Sequence, residues 1–183
     1  MFLDIGVGLL ATIFLGHIFA ISLNWTLIYL SITFVLLPDI DIVYYSIRKL
    51  IGREHVYNHR ALTHYPIIYI PVVALVYYFL GFFYSVLFAV SVYFHLIHDS
   101  FWLGWGIVWM WPFSTKRFKF FPDEGGKITS RVLMTWNEKD DPEMFTKFHN
   151  PHWIKDFYLR PNLVAYVEYS IFALSLVMLA LFF

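Results

Sequence analysis

The side chains that could do chemistry in this chain are its histidines and carboxylates, because it contains no cysteine. That absence removes disulfides, Cys-ligated zinc, iron–sulfur clusters and thiol nucleophiles together. Eight His and thirteen Asp+Glu remain, and three short patterns hold the informative ones. Pro38-Asp39-Ile40-Asp41 sets two carboxylates behind a proline, which favours a turning residue before it and a helix start after it. His59-Arg60 and Thr63-His64 follow on a loop leading into a helix. His95 and Asp99 stand at i and i+4 on one helical face, with His98 beside Asp99. A mixed imidazole and carboxylate set suits Zn²⁺, Mn²⁺ or Fe²⁺ better than Mg²⁺, which prefers oxygen throughout. Six or more donors exceed one tetrahedral site, so one or two divalent ions, Zn or Mn first, are expected.

The elements that must carry these residues are set by composition. Of 183 residues, 60% are hydrophobic, 22% aromatic and only 14% charged, with a mean hydropathy of +0.63. Soluble domains run near half apolar and a quarter charged, so the chain reads as an integral membrane protein. Lys+Arg and Asp+Glu balance at 13 each, which gives no electrostatic case for nucleic acid as a partner. A helix needs about 20 mostly apolar residues to cross a bilayer. The stretches 2–23, 25–45, 65–80, 82–101 and 163–183 meet or approach that length. The first has Asp4 where a signal peptide would carry Lys or Arg, so it is read as an anchor. Short joins at Asn24 and Gly81 make two helical hairpins.

The expected fold is therefore an all-α integral membrane protein of about five transmembrane helices. Two hairpins and a C-terminal span would be joined by a small cytoplasmic cap. The expected boundaries are a membrane-embedded metal-site core over 1–113, the cap over 114–162 and the last span over 163–183. Arg48, Lys49, Arg53 and Arg60 precede the third span, and the other nine basic residues lie between Lys116 and Arg160. By the positive-inside rule both loops are cytoplasmic, which puts the N-terminus inside and the C-terminus outside the inner membrane. The segment 100–113 carries Trp102, Trp105 and Trp109 on one helical face, then Trp111. It reads either as a helix lying along the inner interface or as a longer fourth span with an aromatic belt.

This layout brings the chemistry to one depth. Asp4, Asp39, Asp41, His59, His64, His95, His98 and Asp99 all fall near the inner ends of their spans, and Glu168 lies about 8 Å into the last one. Ionisable groups within spans are costly and mark function or pairing. Taken singly each has a plainer reading: Asp39 and Asp41 as helix caps, His95 and His98 as buried hydrogen-bonding groups. His17 sits deeper and reads as structural, His55 as solvated, and His149 and His152 as cap surface. Convergence of the whole set is what argues for a metal site.

In order and spacing, Pro38-Asp39-Ile40-Asp41, His59-Arg60, Thr63-His64, His95 with Asp99, Gly104 or Gly106, and Trp111-Pro112 resemble a known group. The chain looks like the LexA-regulated, YdjM-like family of membrane-bound metal-dependent hydrolases, over roughly residues 1–113. The resemblance implies hydrolysis at a metal centre on the cytoplasmic side of a membrane. A more distant similarity to zinc-dependent phospholipase C points to a phosphoester. Such proteins tend to carry a Thr-His near the N-terminus, and here Asp4 stands nearest that place.

The expectation is a metal-dependent hydrolase that uses a metal-activated water on a lipid or lipid-linked substrate. Asp39, His59, His64, His95 and Asp99 would bind the metal, with His98 and Asp4 as further candidates and Asp41 as ligand or neighbour. Asp41 or Glu168 would take the water proton or orient an imidazole, and Arg60 would neutralise a phosphate. Two rivals belong to other classes. A metal-ion or proton transporter would continue its polar residues to the far side of the membrane. A di-iron lipid desaturase or hydroxylase would show an H-x-x-H-H box, which is missing here.

Overall fold

A proline and a handful of capping side chains divide the apolar sequence into its helices. The computed structural model describes residues 1–50, 62–102, 105–124, 127–128, 130–148, 152 and 154–183. Helix α1 spans Phe2–Ile18 and α2 spans Trp25–Leu36. Asn24 caps α2, its side-chain oxygen accepting from the Leu27 amide at 3.0 Å. A 3-10 turn, Leu37–Asp39, then leads into α3, Ile40–Leu50. Pro38 has no N–H to give to an α-helical ladder, which accounts for the tightened turn at this point. Further on, α4 (Tyr69–Leu80) and α5 (Phe82–Asp99) are joined at Gly81, whose φ of +90° suits glycine. The last helix, α7, spans Leu163–Phe182. Asn162 caps it by accepting from the Ala165 amide at 2.9 Å.

Between α5 and α7 lies a small antiparallel hairpin. Its strands β1 (Lys116–Phe120) and β4 (Leu133–Asn137) pair in the register Lys116↔Asn137 to Phe120↔Leu133. Two short strands, β2 (Asp123–Glu124) and β3 (Lys127–Ile128), pair with each other. Helix α6, Asp141–Phe148, follows.

Three apolar helical runs among the described residues are long enough to cross a membrane: Trp25–Tyr44, Phe82–Asp99 and Leu163–Phe182. The expected first and third spans form shorter apolar helices, Phe2–Ile18 and Pro66–Leu80. The first is cut short because Ala20 takes a φ of 52° and the chain turns back, the Ile21 amide donating to the Gly16 carbonyl at 2.8 Å.

Two further expectations are corrected. The fold is not all-α, since the cap region contains the β1–β4 hairpin. Nor do the described residues of the 100–113 segment form a helix with Trp102, Trp105 and Trp109 on one face. Ile107 bridges Phe118 and Phe101 bridges Phe120, so this segment lies against β1. Gly106 permits it: at φ +69°, a Cβ there would sit 2.5 Å from the Phe118 carbonyl oxygen.

The chain divides into two units, 1–37 with 69–95 and 154–183, and 38–68 with 96–153. In the first, α1 packs against α7 and α2 through small residues. A Cβ on Gly6 would meet the Phe172 backbone at 3.0 Å, and one on Gly8 the Ser31 hydroxyl at 3.1 Å. Leu27, Val35, Leu87, Phe88 and Val92 fill its core. Phe14, Tyr78, Phe79, Val177 and Leu181 stay exposed, as a lipid-facing surface requires. The second unit buries Ile107, Val108 and Trp136, together with Arg117 and Lys119, each only 1% exposed.

Candidate metal centre

Three segments of the second unit bring donors to one point. The turn around Pro38 ends in Asp39, and Asp41 is the second residue of α3. His64 closes a short 3-10 turn, Leu62–His64, and is buried. Asp99 is the final residue of α5 and is also buried. The His64 Nε2 atom stands 3.2 Å from Asp99 Oδ2 and 3.7 Å from Asp39 Oδ1. Its Nδ1 atom stands 3.2 Å from Asp41 Oδ2 and 3.2 Å from the Thr63 hydroxyl. Ligand atoms of Asp39, His64 and Asp99 lie within 4.8 Å of one another. His95, four residues before Asp99 in the sequence of α5, belongs to the first unit.

The electrostatics follow from these distances. Burial pulls the His64 imidazole down, but Asp39, Asp41 and Asp99 outweigh it and raise its pKa to about 9. A cation is thus favoured where three carboxylates converge, and mixed oxygen and imidazole donors fit a divalent metal.

The other candidate residues are distributed differently. His98 is half-buried on α5 and is not among the clustered donors. Asp4 and Glu168 belong to the first unit. There Glu168 accepts from the Tyr158 hydroxyl at 3.1 and 3.2 Å and from the Leu3 amide at 3.4 Å. The Met1 amino group stands 2.8 Å from Asp4 and 3.5 Å from Glu168. Asp4 Oδ1 lies 3.7 Å from His95 Nδ1. Burial, then the Glu168 charge, pushes the Tyr158 hydroxyl well above its ordinary pKa. His17 is exposed in the last turn of α1, and His152 is exposed. His55, His59, Arg60, Gly104 and His149 lie outside the described residues.

Sequence reasoning missed a polar chain beside the centre. Arg117 on β1 donates through Nε to both Asp141 oxygens at 3.0 Å, and Trp136 on β4 donates to the same carboxylate at 2.8 Å. Arg117 also lies 3.6 Å from Glu138, which accepts from the Tyr65 hydroxyl at 2.9 Å. The available signal was adjacency, since Tyr65 follows His64 directly. Burial and the charge of Glu138 raise the Tyr65 pKa to about 12, so it remains a hydrogen donor at neutral pH.

One comparison with known proteins is informative. A family model, that of the YdjM inner membrane protein, matches residues 4–182. No curated protein and no solved structure matches the chain.

Proposed function

This chain belongs to the YdjM inner membrane protein family, and on that premise we propose that it is a membrane-embedded, metal-dependent hydrolase of a lipid or lipid-linked phosphoester. The convergence of Asp39, His64 and Asp99 within 4.8 Å carries the reading. These three would hold a divalent ion, and His95, four residues before Asp99 in sequence, is a further candidate ligand. Once bound, such an ion supplies Lewis acidity and lowers the pKa of water toward neutrality.

The chain's own residues do the rest. Asp41 Oδ2, 3.2 Å from His64 Nδ1, would orient the ring with Nε2 toward Asp39 and Asp99. As a buried carboxylate at this point, Asp41 is also the group best suited to take a proton from an attacking water. Arg60, four residues before His64, supplies a guanidinium able to grip two phosphate oxygens. In the membrane, α1 and α4 would cross beside the three longer helical runs, completing two hairpins and a final span. The basic residues then face the cytoplasm, with the N-terminus inside and the C-terminus outside. A centre at the inner leaflet favours a substrate arriving through the membrane plane.

The test is elemental analysis of the purified protein together with a screen of phosphate esters, phospholipids and carboxyl esters with added Zn²⁺ or Mn²⁺. The expected result is about one to two equivalents of metal and hydrolysis of a phosphoester, both lost in Asp99→Ala. Metal flux into proteoliposomes without hydrolysis of any ester would replace this reading with transport.

A further inference from the structure

The residue after His64 is held more firmly than a surface loop requires. Tyr65 lies between two 3-10 turns, its amide donating to the Leu62 carbonyl at 3.2 Å and its carbonyl accepting from Ile68 at 3.1 Å. Its ring stacks on Trp111 with centroids 5.0 Å apart and planes within 13°. Its hydroxyl donates to Glu138 Oε1 at 2.9 Å. Glu138 in turn lies 3.6 Å from Arg117, which is buried and clamped on Asp141. Arg117 and Trp136 are directly opposed in the β1–β4 register, and both engage Asp141. A continuous set of contacts therefore runs from the hairpin through Glu138 to Tyr65, one peptide bond from the His64 imidazole.

We propose that Tyr65 is a positioning residue for the metal centre: its stack on Trp111 and its hydrogen bond to Glu138 hold His64 where Nε2 faces Asp39 and Asp99. The inference rests on the metal reading above and adds a role for the hairpin. Ligand geometry depends on what holds the ligand, and loss of such supporting contacts typically weakens metal binding about 10–100-fold. It also gives Trp111, noted in the sequence only as part of a Trp-Pro pair, a physical task. A ring that covers one face of Tyr65 limits the rotation that would swing His64 aside.

The experiment titrates the full chain, purified in detergent, with Zn²⁺ and separately with Mn²⁺, well below the melting temperature of each variant. Tyr65→Phe keeps the stack and removes the hydroxyl, Glu138→Ala removes the acceptor, and Glu138→Gln retains a carbonyl that can accept. The expected result is an affinity loss of about 10–100-fold in Tyr65→Phe and in Glu138→Ala. The double variant should be no weaker than either single one, because both remove the same bond. Glu138→Gln should bind close to wild type. Should Tyr65→Phe fail to fold, Glu138→Ala against Glu138→Gln makes the same comparison. Wild-type affinity in Tyr65→Phe and Glu138→Ala, or fully additive losses, would overturn the proposal. If wild type takes up neither metal, the metal reading itself fails and this inference falls with it. A metal-binding wild type beside indifferent variants overturns the positioning role alone.

Discussion

Two buried groups of acidic residues, one in each unit, use similar side chains to different ends. In the first unit Glu168 is surrounded by donors: the Tyr158 hydroxyl, the Leu3 amide and the Met1 amino group. Its contacts join α7 to the start of α1 and to the turn before α7. In the second unit Asp39, Asp41 and Asp99 converge on a single imidazole, that of His64. A carboxylate whose lone pairs are met by protein N–H and O–H groups fastens helices together. Carboxylates that converge on one another create a place for a cation. Burial of an acid in a membrane protein is thus not itself the mark of a functional centre. What surrounds its oxygens is.

The comparison breaks first at the ligands. Asp99→Ala should weaken Zn²⁺ or Mn²⁺ binding by more than about 100-fold, read by elemental analysis after dialysis. Retention of metal would erase the distinction between the two groups. Second, adding metal at 100 times its dissociation constant should stabilise wild type by about 2.7 kcal/mol. A chain of this size shows that as about 5–11 °C in melting temperature, and Asp99→Ala should show no such rise.

The first unit should respond the other way. Glu168→Ala leaves the Tyr158 hydroxyl and the Leu3 amide without their acceptor, a cost of about 1–3 kcal/mol. Its melting temperature should fall while metal content stays at the wild-type value, and Glu168→Gln should recover part of the loss. Loss of metal in Glu168→Ala would merge the two groups into one functional network. The smallest effect is expected at Gly6→Ala, where the added Cβ meets the Phe172 backbone at 3.0 Å. A cost near 1 kcal/mol is expected as α1 and α7 part slightly, about 2–4 °C in a thermal melt, again with metal content unchanged.

Much of the candidate centre was legible because local rules carried it. The spacing of His95 and Asp99 fixes one face of α5, and Pro38 forces the turn that presents Asp39 and Asp41. The hairpin was not legible, for a physical reason. In Lys116-Arg117-Phe118-Lys119-Phe120 the alternation is real, but Arg117 and Lys119 are on the buried side while Phe118 and Phe120 are half-exposed. Binary patterning assumes that charge faces water, so it reads this strand inside out. What lets Arg117 go inward is the carboxylate of Asp141, 24 residues along the chain and invisible to any local rule. The end of α1 was hidden for a related reason, since nothing in an unbroken apolar run announces the positive φ at Ala20. Glu168 likewise shows its intrusion into an apolar helix but not its partner Tyr158, which only the folded chain supplies.

The most direct test of the central claim is an anomalous-scattering map of crystals grown with zinc, recorded at the zinc absorption edge. The account predicts a peak coordinated by Asp39, His64 and Asp99 at about 2.0–2.2 Å from their donor atoms. A map with no peak there, or with zinc held only beside Asp4 and Glu168, would contradict it.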